Sequence, residues 1–121
     1  MNKPLTGRRI LIVEDEMLIL MLLEDMLEEL GCTSTVSAAT SEAALAHLSE
    51  QTFDAVMLDM NLDGKSSHSV AQTLAKSGIP FIYSTGSSVS EIEDGFKDRP
   101  LVRKPFSFEH LARAFDGLVY R

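Results

Sequence analysis

The feature of this sequence that most constrains its fold is a fivefold alternation of strand-like and helix-like segments. The strand-like segments are rich in aliphatic and β-branched residues and read, in order, RRILIV, TSTVSA, FDAVMLD, IPFIYST and PLVRK. Each is followed by a segment with helical periodicity or helix-capping residues. This alternation predicts an α/β fold in which a parallel sheet carries helices on both faces. Because the crossovers are right-handed, the carboxyl ends of all strands should meet at one edge of the sheet.

The first predicted helix is unusually apolar. Residues at i, i+3, i+4 and i+7 spacing form an expected inner stripe: Leu18, Ile19, Leu22, Leu23, Met26, Leu27 and Leu30. Gly31 provides a stop signal for this helix. Leu20 and Met21 extend the stripe to its margin, and we hypothesise that this margin helps to dock a helical-hairpin domain of a partner protein.

Capping residues predict the limits of the later helices. Thr40 or Ser41 is expected to cap the second helix, Gly78 to end the third and Ser107 to cap the last. The stretch GSSVSEIEDGF, before the fifth strand, is polar and rich in serine. The fourth helix is therefore expected to be short or partly disordered.

Bulk composition excludes several classes of protein. A chain of 121 residues predicts one domain, residues 1–121 with a core at about 8–118 and no output domain. The net charge of −7 argues against a nucleic-acid-binding protein, which needs a basic face. Cys32 is the only cysteine, which fits a reducing, cytoplasmic location. The longest apolar run is too short to span a membrane.

Polar side chains stand at four of the predicted strand ends. Glu14 and Asp15 follow the first strand, Asp59 ends the third, Thr85 ends the fourth and Lys104 follows the fifth. Since these ends should converge, three carboxylates, a hydroxyl and an ammonium group are expected in one small area. A hard divalent cation such as Mg²⁺ would relieve the repulsion between the carboxylates. A metal beside a lysine and a hydroxyl is a receptor for a phosphoryl group, and an aspartate can be its covalent acceptor.

The segments ILIVEDE, FDAVMLD, PFIYSTG and RKPF together resemble the receiver domain of two-component response regulators, over residues 8–118. The resemblance implies a flavodoxin-like (βα)5 fold, a doubly wound parallel sheet with strand order 2-1-3-4-5. It also implies that Asp59 is the phosphoacceptor, that Thr85 is the switch hydroxyl and that Lys104 contacts the phosphoryl group. The implied metal ligands, for Mg²⁺ with Mn²⁺ as an alternative, are Glu14, Asp15, Asp59 and the backbone carbonyl of Asn61.

The function implied by this resemblance is signalling by phosphorylation. A histidine kinase or histidine phosphotransferase would pass a phosphoryl group to Asp59, and the protein would act as a switch or as a phosphate sink through protein–protein contacts, including contacts with a downstream protein. It would not be an enzyme beyond catalysing its own phosphorylation and dephosphorylation. Asn61 and Ser87 occupy the positions that tune phosphoryl lifetime in receivers.

Three departures from the common receiver pattern are visible, and one is the short span from Thr85 to Lys104, which should leave the fourth helix short or partly disordered. Leu101 stands where receivers usually carry the switch aromatic. The stretches PFIYSTGS and DMNLDGKSS resemble an atypical subgroup, the FATGUY type, which is associated with histidine kinases of the HWE and related classes.

The Asp59 region fits two other interpretations in part. The motif DMNLDG fits the first half of an EF-hand loop, but loop position twelve is Val70 rather than glutamate, and a strand rather than a helix precedes the motif. A small phosphatase of the aspartyl-phosphate type remains as the alternative function. Such an enzyme, however, uses a second aspartate two residues after the nucleophile, where this chain has Asn61.

Overall fold

The computed structural model describes residues 5–62, 65–85, 101–103 and 107–119. The helices in these ranges are α1 (Met17–Glu29), α2 (Ser41–Glu50), α3 (His68–Ser77) and α4 (Phe108–Val119). The strands are β1 (Arg9–Val13), β2 (Ser34–Ala38), β3 (Ala55–Asp59), β4 (Asn61–Leu62), β5 (Lys65–Ser66), β6 (Phe81–Thr85) and β7 (Leu101–Arg103). None of the described helices is long and apolar enough to cross a membrane.

Within the described residues, the main sheet has five strands, all parallel to their neighbours, in the order β2-β1-β3-β6-β7. Since β6 and β7 are the predicted fourth and fifth strands, the predicted order 2-1-3-4-5 and the flavodoxin-like fold class are confirmed. The register places Val13 beside Leu58 and Asp59 beside Ser84. The carboxyl ends of β1, β3 and β6 therefore lie at the same edge.

Strands β1 and β3 are buried on both faces along almost their whole length, which explains why their residues are almost continuously apolar. Along β1, Ile10 and Ile12 belong to the core cluster that includes side chains of α1 and α4. Leu11 and Val13 belong to the second cluster, which includes side chains of α2 and α3. This alternation follows from the two-residue period of a strand, and it holds β1 rigidly between two helical layers.

Helix α1 corrects one prediction. Leu23 and Leu27 are buried against the sheet as expected, but Leu18 and Leu22, assigned to the inner stripe, face solvent. Leu18 is 80% exposed and Leu22 is 41% exposed. The first half of α1 is apolar on nearly every side, so its periodicity does not identify the face that the sheet covers.

The predicted helix limits agree with the structure where it describes them. The Thr40 hydroxyl accepts a hydrogen bond from the Ala43 N–H at 3.1 Å and caps α2. Gly78 follows α3 with a φ of 70°, a conformation that glycine adopts without steric cost. Ser107 accepts a hydrogen bond from the His110 N–H and caps α4. The predicted fourth helix lies outside the described residues.

An antiparallel pair of short strands, β4 and β5, was not predicted. Asn61 pairs with Ser66, and Leu62 pairs with Lys65. The pair follows directly after Asp59 and returns the chain to the same edge of the sheet before α3 begins.

Candidate functional site

The first part of the site is the acidic pair after β1. The Glu14 N–H donates to the Ala38 carbonyl at 2.9 Å, which extends the pairing of β1 with β2 by one bond. The Glu14 side chain is 2% exposed, and its Oε1 accepts a hydrogen bond from the Glu16 N–H at 3.3 Å. Asp15 is half-buried. A carboxylate buried to this degree carries a large desolvation cost, which a bound cation would offset.

Asp59, the last residue of β3, supplies the third carboxylate. Its side chain is 4% exposed, and its Oδ1 accepts a hydrogen bond from the Asn61 N–H at 3.2 Å. Its backbone carbonyl accepts a hydrogen bond from Ser67 Oγ at 2.6 Å. The apolar residues of β3 before Asp59 are fully enclosed, so the nucleophile candidate stands at the end of a rigid strand.

These three carboxylates form a cluster. Glu14, Asp15 and Asp59 each offer one oxygen atom, and the three atoms lie within 4.8 Å of one another. Two oxygen ligands of one Mg²⁺ ion, each about 2.1 Å from the metal, lie about 3–4 Å apart, so small side-chain movements bring this set into range. The donor set consists only of hard oxygens, which Mg²⁺ and Mn²⁺ prefer. The residues present therefore fit such an ion.

The other predicted site residues have different outcomes. Asn61 is exposed and begins β4, two residues beyond Asp59. Thr85 is the last residue of β6, so its backbone is at the same edge as the cluster. Lys104 and Ser87 lie outside the described residues. The assigned roles of all four residues stay predictions.

Ser67 is a site residue that the sequence did not single out. It is completely buried, and it contacts the backbone of Asp59 from the start of α3. A serine directly before a helix is ordinarily interpreted as a cap. Nothing in the sequence indicated that this hydroxyl would instead contact a strand end eight residues earlier.

Comparisons with known proteins agree with this geometry. The family model for the response regulator receiver domain matches residues 10–116. SdrG from Sphingomonas melonis Fr1 is 44% identical, over 92% of this chain and 95% of that one, with a TM-score of 0.83. Its BeF3-activated conformation, described from Pseudomonas melonis Fr1, is 43% identical over the same shares of the two chains, with a TM-score of 0.79.

Two more distant relatives extend the comparison. The receiver domain of PhyR from Erythrobacter litoralis is 27% identical, over 96% of this chain and 92% of that one, with a TM-score of 0.82. The virulence sensor protein BvgS of Bordetella pertussis is 38% identical over 73 residues, which are 60% of this chain but only 6% of BvgS. The similarity to SdrG and PhyR agrees with the resemblance to the atypical receiver subgroup. Taken with the sheet order and the acidic cluster, these matches place the chain in the response regulator receiver domain family.

Proposed function

We propose that this protein accepts a phosphoryl group on Asp59 from a histidine kinase or a histidine phosphotransferase, in a reaction that requires Mg²⁺ or Mn²⁺. It then acts as a phosphorylation switch or as a phosphate sink through contacts with other proteins. The observation that carries the proposal is the cluster of Glu14, Asp15 and Asp59, whose oxygens lie within 4.8 Å of one another at the end of β3.

The chemistry follows from the position of Asp59. One of its carboxylate oxygens forms a bond to phosphorus while the bond between phosphorus and the donor's imidazole nitrogen breaks. The attacking oxygen, the phosphorus and the leaving nitrogen lie in line. The Asn61 N–H on Oδ1 restrains the rotation of the carboxylate before attack. A bound divalent cation would supply charge neutralisation for the carboxylates and the phosphoryl oxygens.

Five further residues complete the proposed site. Glu14 and Asp15 would hold the metal with Asp59, and the Asn61 carbonyl would add a backbone ligand. Thr85 and Lys104 contact the phosphoryl oxygens, and the contacts they gain shift the protein between two conformations. Loss of the phosphoryl group to water at the same site ends the signal.

The test is exposure to Mg²⁺ and beryllofluoride, a phosphoryl mimic, followed by NMR of the backbone amides. BeF3 activation is described for SdrG, which is 43% identical. We expect amide shifts around Asp59 that are absent in Asp59→Asn and retained in Asp116→Asn, an exposed carboxylate on α4. An unchanged wild-type spectrum would contradict the proposal, as would steady hydrolysis of a small phosphomonoester, which indicates a phosphatase.

We further propose that the outward face of α1 docks the phosphoryl donor. Its apolar patch consists of Met17, Leu18, Met21 and Leu22, and these side chains are between 41% and 80% exposed. The patch begins two residues after Asp15, so a donor that reaches Asp59 passes over it. Large apolar side chains grouped on a surface are typical of an interaction site.

The rest of the same face indicates the chemistry of the partner. Asp25, Glu28 and Glu29 are exposed on the second half of α1, and the helix contains no lysine or arginine. A complementary surface would combine apolar side chains with basic ones. The helical hairpin of a histidine kinase, of the HWE or a related class, is the partner we propose.

Leu18→Lys tests the docking face because Leu18 is 80% exposed and its replacement leaves the core intact. We expect transfer from a phosphorylated histidine kinase of the same genome to slow by about tenfold or more, as for an interface hot spot. Phosphorylation by acetyl phosphate should be unchanged. Ala46→Lys, which adds the same charge to an exposed position of α2, is the control. Equal transfer rates for both variants would argue against this surface.

A further inference from the structure

The two peptide groups that follow Asp59 are each hydrogen-bonded at both the carbonyl and the N–H. In the peptide group between Asp59 and Met60, the carbonyl accepts from Ser67 Oγ at 2.6 Å and the N–H donates to the Ser84 carbonyl at 3.0 Å. In the next peptide group, the Met60 carbonyl accepts from the Ser67 N–H at 3.1 Å and the Asn61 N–H donates to Asp59 Oδ1 at 3.2 Å. Both peptide planes are therefore fixed at both ends.

Ser67 supplies two of these four bonds. It is completely buried, so no solvent replaces either bond when it is lost. Its hydroxyl lies 2.6 Å from the Asp59 carbonyl oxygen, within the range of an O–H···O hydrogen bond.

The position of Ser67 makes this use of its hydroxyl distinctive. Ser67 is the residue before α3, where a serine side chain normally accepts a hydrogen bond from the first turn of the helix. Among the described residues, Ser67 makes no such cap bond. Its carbonyl accepts hydrogen bonds from the N–H groups of Val70 and Ala71 in the first turn of α3. The backbone of Ser67 therefore bonds to the helix, whereas its hydroxyl bonds to the end of β3.

The antiparallel pair of β4 and β5 brings Ser67 to this place. Because Asn61 pairs with Ser66, the next residue, Ser67, lies close enough to Asp59 for its hydroxyl to donate to the Asp59 carbonyl. Leu62 is 3% exposed, so the pair is anchored in the core cluster of α2 and α3. The segment that follows the proposed phosphorylation site thus contributes Ser67, which hydrogen-bonds to the backbone of Asp59 and Met60.

We propose that Ser67 is a positioning residue that holds the Asp59 carboxylate in register with Glu14 and Asp15. The inference rests on the proposed function of Asp59. Without the Ser67 hydroxyl, the first peptide group after Asp59 loses one of its two anchors and rotates more freely. Because the Asn61 N–H that restrains Oδ1 belongs to the adjoining peptide group, the orientation of the carboxylate loosens with it.

The expected effect is that of losing a group that orients a metal ligand, which lowers metal affinity by about 10–100-fold. We expect Ser67→Ala to weaken Mg²⁺ binding by about tenfold, measured by NMR titration of the full chain. In metal-free protein, the amides of Met60 and Asn61 should exchange with solvent about tenfold faster, whereas amides in the core of β1 should not change. The second measurement needs no metal and no phosphoryl transfer.

Three variants separate the hydrogen bond from other causes. Ser67→Cys keeps the side-chain size but donates weakly, and we expect it to resemble Ser67→Ala. Ser67→Thr keeps the hydroxyl and should restore both the affinity and the slow exchange. Thr73→Ala is the control, because it removes a hydroxyl that donates to a backbone carbonyl within α3, the Ser69 carbonyl at 3.1 Å, away from Asp59.

The outcomes distinguish this inference from the proposed function. If the wild type binds Mg²⁺ and accepts a phosphoryl group but Ser67→Ala behaves identically in both measurements, the positioning role is wrong. Wild-type behaviour of Ser67→Cys would assign the effect to packing and would also overturn it. If the wild type itself takes up neither Mg²⁺ nor a phosphoryl group, the proposed function fails, whereas the amide exchange of the variants still reports whether Ser67 holds the Asp59 backbone.

Discussion

Asp59→Asn should make the metal-free protein more stable, although it removes the proposed phosphoacceptor. Asp59 is 4% exposed and Glu14 is 2% exposed, and Asp15 completes the cluster with oxygens no more than 4.8 Å apart. In the unfolded chain these carboxylates separate, so their repulsion acts on the folded state alone. The amide replaces the charge but keeps an oxygen that can accept the Asn61 N–H.

The size of the effect follows from the separation of the charges. Two unit charges 4.8 Å apart repel by about 3.5 kcal/mol at an effective dielectric constant of about 20 and by about 1 kcal/mol in water. The repulsion between Asp59 and the buried Glu14 is nearer the first value. The repulsion between Asp59 and the half-exposed Asp15 is nearer the second. After allowance for hydrogen bonds that the carboxylate makes better than an amide does, we expect a net gain of about 1–3 kcal/mol. For a domain of this size, that raises Tm by roughly 4–12 °C.

The assay is thermal unfolding with a chelator and then with increasing Mg²⁺. The wild type should gain stability as the cation binds, by about 2.7 kcal/mol at a hundred times Kd. Asp59→Asn should gain much less, so the two melting curves should approach each other as Mg²⁺ rises. Asp116→Asn, which removes an exposed carboxylate from α4, should change Tm little in either condition.

One result would refute the reasoning. If Asp59→Asn is no more stable than the wild type without divalent cations, and if Mg²⁺ raises both Tm values equally, the three carboxylates do not repel one another or share a metal. A gain in stability for Asp116→Asn of the same size would assign the effect to the overall charge of −7 rather than to the cluster.

Two further predictions concern the fold. Burial raises the pKa of the Cys32 thiol, and the negative charge of Asp54 also raises it. Hydrogen bonds with the backbone lower the same pKa, but burial has the larger effect. The folded state therefore favours the neutral thiol. The contribution of Cys32 to stability is complete below the pKa that the thiol has in the unfolded chain. This contribution is lost as pH rises through the pKa that the thiol has in the folded protein. Urea midpoints at about pH 8 and about pH 10 should fall further for the wild type than for Cys32→Ala, and equal falls would contradict this. Thr40→Ala should lower the free energy of unfolding by about 1 kcal/mol, measured by urea denaturation, because the Ala43 N–H loses its capping acceptor; Thr40→Ser should cost little.

The sequence predicted the sheet and the convergence of the acidic residues for one physical reason. Right-handed crossovers place the carboxyl ends of parallel strands at one edge of the sheet, whatever lies between them in the chain. Glu14 and Asp59 are 45 positions apart, yet the alternation of strands and helices predicted that they share this edge. The strand order that makes β1 and β3 neighbours came from the family resemblance.

Helix α1 and Ser67 were missed for a different reason. The spacing of the apolar residues in α1 fits two overlapping helix faces, either of which could be buried. Only packing against the sheet determines that Leu23 is buried and Leu18 is exposed. The β4 and β5 strands have two residues each, too few for a period to be detected. The Ser67 hydroxyl had two competing partners, the first turn of α3 and the Asp59 carbonyl, and the fold selects between them.

Two energetically unfavourable features, the exposed Leu18 and the clustered carboxylates, are connected with the proposed function. A folding optimum would bury Leu18 and would separate Glu14 from Asp59, since exposed apolar surface and clustered like charges both destabilise a folded chain. Both features instead lie near the edge where the proposed phosphoryl donor would approach, and the proposed role of the Ser67 hydrogen bonds is to restrain Asp59 against the repulsion of its neighbours. If these two features serve function, Leu18→Lys and Asp59→Asn should both give a more stable or more soluble protein that accepts a phosphoryl group poorly from the proposed kinase.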